Sequence, residues 1–209
     1  LSLEKVPFKK KGQSKAGASL NEPIAIVGMS CRYPGVNDLE SYWDVLLNGV
    51  DTITEVPKER WDIDAFYDAN QEAPGKMYVR KGGFLKDVDQ FDPGFFGISP
   101  KEAKAMDPQQ RLLLETSWEA LENAGESPKD LFGGHCGVFV GITNVDYAHL
   151  LERSSEQEDL AAHIPTEIAL NAVAGRLPDF FGFKGPDMSI APACSCSLVS
   201  PCSAFQIVR

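Results

Sequence analysis

The chain has 209 residues, of which 43% are apolar and 24% are charged, and this composition is ordinary for a globular domain with a real core. Its formal net charge is −10, although residues 1–21 contain five lysines and only one glutamate. The acidic remainder argues against nucleic acid and against anionic membrane as main partners.

The five cysteines and the chain ends indicate the setting of the protein. The cysteine count is odd and the spacing does not resemble a disulfide framework, which favours a reducing, cytoplasmic location. No apolar run reaches membrane-spanning length, and no signal-peptide pattern is present. The chain begins with Leu1 and ends at Arg209 inside an apolar, helix-like segment, so we expect a piece of a longer polypeptide.

The first third of the chain predicts a linker, a strand, a helix and a long irregular excursion. Residues 1–21 are rich in Lys, Ser and Gly and predict a flexible basic linker, with a basic docking tail as the alternative. The apolar residues 23–29 predict a central strand buried on both faces. Asp38 is a candidate N-cap for a helix that ends at Gly49. Residues 51–85 carry many turn residues and predict short strands or turns with little regular structure.

The middle of the chain repeats one helix-start pattern. Ser99 followed by Pro100 and Glu102 predicts an N-cap, a proline at the first helical position and a Glu in the first turn. The pattern returns at Asp107, which predicts a second helix that stops at Gly125. The two helices should therefore be separate.

The last third predicts two strands with a helix between them, and an apolar, helix-like run after Cys194. The sequence CGVFVG at 136–141 indicates a buried strand, and residues 168–181 indicate a helix that Pro178 ends near Leu177 or bends. Residues 188–190 indicate the end of another buried strand. Strands separated by helices predict an α/β fold with a mostly buried, mixed or parallel sheet and helices on both faces.

Cys194 is the candidate nucleophile. It lies between the predicted strand end and a predicted helix, where free N–H groups and the positive end of the helix dipole favour the thiolate. Small neighbouring residues would let a thioester carbonyl approach backbone N–H donors, as an oxyanion site requires. The alternative is a buried structural cysteine. A zinc site lacks a fourth ligand, because no histidine follows the C-x-C-x5-C pattern.

Several segments together resemble the ketosynthase domain of modular polyketide synthases. The longest is FDPGFFGISPKEAKAMDPQQR at 91–111, and PIAIVGMSCRYP at 23–34 resembles the opening segment of that domain. Residues 137–141 resemble the family's G-V-F-x-G strand, and residues 174–177 resemble its A-G-R-x-S-Y helix. Residues 193–199 resemble its D-T-A-C-S-S-S-L-V nucleophile motif. The resemblance covers residues 22–209, the N-terminal part of such a domain.

The resemblance implies a thiolase-like fold, of which this chain would be the first, N-terminal half and incomplete. It implies an acyltransferase that catalyses decarboxylative Claisen condensation, with Cys194 receiving the acyl group and its own N–H contributing to the oxyanion hole. Substrates would arrive on the phosphopantetheine of an acyl carrier protein, so no cofactor or metal is bound directly. The implied partners are carrier protein, neighbouring synthase domains and a second copy in a homodimer.

Some positions depart from the family pattern: Ala191, Pro192, Asp179, Cys196 and Pro201. The first two replace the family's Asp and Thr, and Pro201 falls inside the helix behind the nucleophile. The family's two catalytic histidine motifs are also missing, so we expect the 209-residue chain alone to be inactive in condensation. Two alternatives stay open: a non-catalytic or non-elongating ketosynthase that acts only in carrier-protein or dimer contacts, and a thiolase or fatty-acid condensing enzyme.

Overall fold

The computed structural model describes residues 23–153 and 169–208, apart from the side chain of Asn171. Local capping signals determine its first helix. Helix α1 spans Leu39–Asn48, and the side chain of Asp38 accepts a hydrogen bond from the Ser41 N–H. Gly49 ends the helix with a φ of 61°, in the left-handed region that glycine adopts readily. Both predicted ends of α1 are confirmed, whereas the predicted linker at 1–21 lies outside the described residues.

The excursion after α1 contains little regular structure, as predicted. Strand β1 (Thr54–Glu55) pairs antiparallel with β2 (Lys81–Gly82), and the short helix α2 (Ile63–Phe66) lies between them in sequence. The guanidinium of Arg80 contacts the carboxylates of Glu55 at 2.6 Å and Asp64 at 2.8 Å. These contacts join the two ends of the excursion.

The two helices with the repeated start pattern are separate. Helix α3 spans Pro100–Ala105 and helix α4 spans Pro108–Ala124. The hydroxyl of Ser99 accepts a hydrogen bond from the Glu102 N–H, and the Asp107 carboxylate accepts one from the Gln109 N–H. Both predicted caps are therefore confirmed, as is the stop of α4 at Gly125.

The second half of the chain forms a parallel strand pair between two helices. After the short helix α5 (Pro128–Leu131), strand β3 (Val138–Gly141) pairs with β4 (Asp187–Ile190), with Gly141 opposite Ile190. Helix α6 spans Asp146–Glu152, α7 spans Leu170–Phe181 and α8 spans Cys196–Val208. Val138 and Val140 pack with α7 on one face, and Gly141 lies against the start of α8 on the other. The predicted α/β class is confirmed, with helices on both faces of this pair.

The core lies between α4, α7 and β3, and it is rich in aromatic residues. The buried residues of this cluster are Phe96, Met106, Leu114, Val138, Val140, Ile142, Val173, Ala174, Leu177 and Phe181. A chain of ring contacts runs through it and involves Phe91, Phe95, Phe96, Trp118, Phe180, Phe181 and Phe183. Arg176 of α7 also pairs with Glu102 of α3 at 2.6 Å. These contacts fix α7 against the segment that precedes α4.

The prediction of a buried central strand at 23–29 is wrong. This segment is irregular, and Ile26 and Val27 are 81% and 60% exposed. A strand needs a neighbouring strand for its N–H and C=O groups, and no strand in the described part of the chain pairs with this segment. Instead it lies along α4, where Asn123 accepts a hydrogen bond from the Met29 N–H and Gly28 packs against the Ala120 carbonyl.

Both prolines that fall within predicted helical segments are accommodated. Helix α7 continues past Pro178 to Phe181, where Gly182 ends it with a φ of 70°, so the helix is longer than the predicted end near Leu177. Helix α8 likewise contains Pro201 in its interior. The buried ring of Phe181 explains the extra turn of α7, because its burial offsets the hydrogen bond that proline removes. In the described residues no helix combines the length and apolar character needed to cross a bilayer.

Candidate active site

Cys194 lies at the junction of β4 and α8. Strand β4 ends at Ile190, a 3-10 turn spans Ala193–Ser195, and α8 begins at Cys196. The side chain of Cys194 is exposed, at the end of the sheet to which the carboxyl ends of both parallel strands point. The predicted position between a strand end and a helix N-terminus is therefore confirmed, because Cys194 precedes α8 at the end that carries the positive pole of the helix dipole.

The turn around Cys194 is held by side chains that follow it. Ala193 has a φ of 56°, a left-handed conformation that is unfavourable for a residue with a Cβ. The Ser195 hydroxyl donates to the Pro192 carbonyl at 3.1 Å, and the Cys196 thiol donates to the Ala193 carbonyl at 2.8 Å. Both contacts engage carbonyls that precede Cys194, so they fix the backbone on its N-terminal side.

Strand β3 supports this turn from behind. A Cβ added to Gly141 would lie 2.8 Å from the Cys196 carbonyl oxygen and 2.9 Å from its carbonyl carbon and its Cβ. The last residue of β3 must therefore be a glycine for α8 to start where it does. The hydrogen bond from the Ile142 N–H to the Ile190 carbonyl, at 3.1 Å, extends the strand pairing to the same edge.

The loop after β3 is anchored to the start of α4. The Gln109 side-chain amide donates to the Asn144 carbonyl at 3.1 Å and to the Asp107 carboxylate at 3.2 Å. The buried Arg111 donates through Nη2 to the Met106 carbonyl at 2.9 Å. The bond from Gln109 to Asn144 therefore holds the loop that leaves the same end of the sheet as Cys194.

The other cysteines have different surroundings. Burial raises the pKa of the Cys31 thiol and of the Cys136 thiol, which disfavours their thiolate forms. Cys202 is exposed like Cys194, but it lies inside α8 and not at its N-terminus. Cys196 is half-buried, and its thiol is engaged by the Ala193 carbonyl. Cys194 thus combines exposure with a helix N-terminus.

Two of the histidines that precede Cys194, His135 and His149, lie in the described residues. His135 comes before β3, at the amino end of the strand pair and therefore opposite to Cys194. His149 lies in α6 with its Nδ1 3.6 Å from a Glu152 carboxylate oxygen, and both side chains are exposed. His163 lies outside the described residues. Within the described ranges, no group of three or more His, Cys, Asp or Glu side chains could hold a metal ion.

The departures from the expected motif lie close to the turn but do not break α8. Ala191 and Pro192 are exposed between β4 and the 3-10 turn. Pro201 has no N–H to donate to the carbonyl one turn earlier, yet the helix runs on to Val208. The nearby Ser200 hydroxyl donates to the Cys196 carbonyl at 2.9 Å.

The sequence-based prediction did not include two features of the site. One is the left-handed Ala193, because alanine gives no signal for that conformation. The other is the pair of carbonyl contacts from Ser195 and Cys196. Short polar side chains in the first turn of a helix commonly bond to nearby backbone, so residue type and position could have indicated the second feature.

Comparison with known proteins places this arrangement in a family. Residues 21–209 match the family model described as "Beta-ketoacyl synthase, N-terminal domain". The chain is 49% identical over 194 residues to polyketide synthase GfsB of Streptomyces halstedii, an alignment that covers 92% of this chain and 3% of that protein. It is 47% identical to the pikromycin polyketide synthase component PikAII of Streptomyces venezuelae, over 90% of this chain and 5% of that protein. The chain therefore spans a small part of these relatives.

Solved structures show the same relationship. The oxazolomycin ketosynthase domain OzmH KS7 of Streptomyces albus JA3453 superimposes with a TM-score of 0.77 at 39% identity, over 88% of this chain and 31% of that one. The ketosynthase from module 6 of the bacillaene synthase of Bacillus subtilis 168 gives a TM-score of 0.73 at 37% identity, over 87% of this chain and 28% of that one. The backbone described above is thus similar to the N-terminal part of these ketosynthases.

Proposed function

The chain belongs to the beta-ketoacyl synthase family, and on that premise we propose that Cys194 receives an acyl group in a polyketide synthase ketosynthase. The observation that carries the proposal is the exposed Cys194 in the 3-10 turn between β4 and α8. A thiolate is stabilised at a helix N-terminus, and exposure allows a carrier-bound thioester to reach it.

The proposed reaction is a thioester exchange. The Cys194 thiolate attacks the thioester carbonyl carbon, and negative charge develops on the carbonyl oxygen. Backbone N–H groups at the start of α8, including that of Cys194, are the donors available to stabilise this oxyanion. The carbon–sulfur bond to the donor then breaks, and the released thiolate takes up a proton from solvent.

We propose that condensation requires a longer protein, one that also contains the two histidine motifs of the family. Decarboxylation of a malonyl-type thioester places negative charge on the thioester oxygen, and the resemblance assigns its stabilisation to two later histidines. No histidine follows Cys194 in this sequence. His135 lies at the opposite end of the strand pair and His149 is beside Glu152. We therefore expect the 209-residue chain to acylate Cys194 slowly and not to condense.

The proposed partners follow from the family and from the lengths of the relatives. The chain spans 3% of GfsB and 5% of PikAII, which leaves room in those proteins for other synthase domains. Acyl carrier protein would deliver both substrates on phosphopantetheine, and a second copy would complete a homodimer. The five free cysteines are compatible with a reducing, cytoplasmic setting.

The acylation step can be tested by mass spectrometry. The chain is incubated with hexanoyl-N-acetylcysteamine, and the adduct is located by peptide mapping. We expect the hexanoyl group on Cys194 and its loss in Cys194→Ala. Cys202→Ala removes another exposed thiol, from the helix that follows Cys194, and should leave the adduct unchanged. No adduct on Cys194 would contradict the proposal and would favour a non-catalytic role.

The condensation step needs a separate assay. The acylated 209-residue chain is supplied with malonyl carrier protein, and β-ketoacyl product is measured against the Cys194→Ala variant. We expect no product above that control. Product above it would mean that a histidine preceding Cys194 serves the reaction, and the assignment of decarboxylation to later histidines would be wrong.

Thiol reactivity provides an independent prediction. With iodoacetamide at neutral pH, Cys194 should be alkylated first, because it is exposed and lies at a helix N-terminus. Cys31 and Cys136 should react slowly because burial raises the pKa of each thiol. Faster labelling of Cys202 than of Cys194 would show that the helix N-terminus gives no activation.

A further inference from the structure

Cys196 directs two donors at one carbonyl group. Its thiol lies 2.8 Å from the Ala193 oxygen, and its backbone N–H donates to the same oxygen at the end of the 3-10 turn. Ala193 is the residue with the left-handed φ of 56°, and it directly precedes Cys194. The two donors therefore hold the carbonyl of a residue whose backbone conformation is unfavourable by itself.

The direction of this carbonyl also determines the direction of the Cys194 N–H. Both groups belong to the same peptide unit, which is planar and trans, so its C=O and N–H point in opposite directions. When the Ala193 carbonyl points toward Cys196, the Cys194 N–H must point away from the start of α8. This N–H is one of the proposed oxyanion donors, and a donor contributes to rate only when it already points at the developing charge.

We propose that Cys196 is a positioning residue that keeps the Cys194 N–H directed toward the thioester oxyanion. The inference rests on the proposed acylation of Cys194 and goes beyond it, because it assigns a role to a side chain that does not touch the substrate. Loss of the thiol leaves only the Cys196 backbone N–H on the Ala193 carbonyl. The weaker restraint lets the peptide unit rotate more often, and rotation turns the oxyanion donor away. The Cys194 sulfur takes no part in the hydrogen bond from Cys196 to Ala193, so its direct alkylation provides the reference reaction.

Gly141 keeps Cys196 in the required place. The absence of a Cβ at Gly141 lets the backbone of Cys196 lie against the end of β3. The contact with β3 therefore fixes Cys196, Cys196 holds the Ala193 carbonyl, and that carbonyl determines the direction of the Cys194 N–H. A serine at position 196 carries a hydroxyl donor at the equivalent place in the side chain, and hydroxyl–carbonyl hydrogen bonds are usually about 2.7–2.8 Å long. A small shift of the side chain compensates for the shorter Cβ–O bond, so a serine should also hold the Ala193 carbonyl.

Two reactions of the same sulfur separate positioning from simple reactivity. Acyl transfer from hexanoyl-N-acetylcysteamine passes through a tetrahedral oxyanion and needs the N–H donor. Alkylation by iodoacetamide forms a carbon–sulfur bond and releases iodide, with no oxyanion at any stage. Loss of the Cys196 thiol should therefore slow acylation of Cys194 and leave its alkylation nearly unchanged.

The experiment measures both rates on the full chain by mass spectrometry, for the wild type and for three variants. Cys196→Ala should reduce the acylation rate by about threefold to tenfold, the loss expected for one hydrogen bond, with alkylation of Cys194 within about twofold. Cys196→Ser should restore acylation to the wild-type rate. Cys202→Ala removes a thiol of α8 that does not contact Ala193 and should change neither rate.

The outcomes distinguish the two proposals. Acylation of Cys194 in the wild type with an unchanged rate in Cys196→Ala overturns the positioning role alone. A parallel fall of acylation and alkylation in Cys196→Ala also overturns it, because the thiol would then act on general reactivity or folding. Failure of Cys196→Ser to restore acylation would overturn the hydrogen bond as the cause. If the wild type forms no adduct, the proposed function fails and this inference falls with it.

Discussion

Substitution of Gly141 by alanine tests how closely the active-site turn depends on strand β3. The new Cβ would lie 2.8 Å from the Cys196 carbonyl oxygen, whereas ordinary contacts begin at 3.4 Å. All three nearest atoms belong to Cys196, and two of them are backbone atoms. The start of α8 must therefore move by roughly half an ångström, because a backbone cannot rotate out of the way as a side chain can.

The expected magnitude follows from this displacement. Overpacking of a well-packed site costs about 1–3 kcal/mol, and we expect Gly141→Ala to lower the free energy of unfolding by that amount. With a urea m-value of about 2 kcal/mol per molar, the midpoint should fall by roughly 0.5–1.5 M. A misplacement of about 1 Å can reduce a rate by about a hundredfold, so half that displacement should reduce acylation of Cys194 by about tenfold.

Gly137→Ala is the matched control. Gly137 precedes the same strand at its other end, and a Cβ there would meet a ring carbon of Phe139 at 2.9 Å and the Pro186 carbonyl at 3.3 Å. The Phe139 ring can move, so we expect a smaller loss of stability and an unchanged acylation rate. Wild-type stability and acylation in Gly141→Ala would refute the close contact between β3 and Cys196.

Helix capping, close packing and a partly exposed ion pair each contribute measurably to stability in urea unfolding. Ser99→Ala should lower the unfolding free energy by about 1 kcal/mol through the lost cap, and no change would exclude that cap. Gly28→Ala should cost about 1–3 kcal/mol, because its Cβ would lie 2.3 Å from the Ala120 carbonyl, and an unchanged midpoint would show that this segment does not pack on α4. The hydrogen bond from Arg32 holds the pKa of Glu119 below its usual value. The ion pair therefore stabilises the fold fully above the unfolded pKa of about 4.3, and this stabilisation is lost as the pH falls through the lower folded pKa. Wild type should therefore exceed Glu119→Gln by at most about 1 kcal/mol at pH 7 and by less as the pH falls below the unfolded pKa, and a difference that is independent of pH would contradict this assignment.

The helix boundaries could be predicted because capping is local. The Asp38 cap of α1, the Ser99 cap of α3 and the Asp107 cap of α4 each involve an N–H within three residues of the cap. Gly49 and Gly125 end their helices by a conformation that glycine adopts without cost. Such signals are complete within a few residues, so no knowledge of the tertiary fold is required.

The irregular conformation of residues 23–29 could not be predicted from local signals. An apolar run indicates a strand only when another strand supplies its hydrogen bonds, and that condition depends on distant parts of the chain. In the structure the nearest support is α4, which offers Asn123 and the backbone at Ala120. The side chains of Ile26 and Val27 consequently remain exposed.

The position of Cys194 could be predicted, but the support around it could not. A strand end, a small-residue turn and an apolar helix are contiguous in sequence, so they identify the junction. The contact between Gly141 and Cys196 joins residues from two separate strand–helix units. The bonds to the Ala193 carbonyl are local and could have been indicated by residue type, whereas the left-handed conformation of Ala193 has no signal in the sequence.

The aromatic core also has a consequence for how the chain folds as it is synthesised. The Phe96 ring packs 4.9 Å from the Phe180 ring, measured between centroids, and these residues are far apart in sequence. At about 5–20 residues per second, a ribosome needs on the order of ten seconds to reach the second phenylalanine after the first. During that interval the segment containing Phe91, Phe95 and Phe96 has none of its α7 partners. The nascent chain therefore presents an apolar segment suited to chaperone binding, and the core can form only after α7 has emerged.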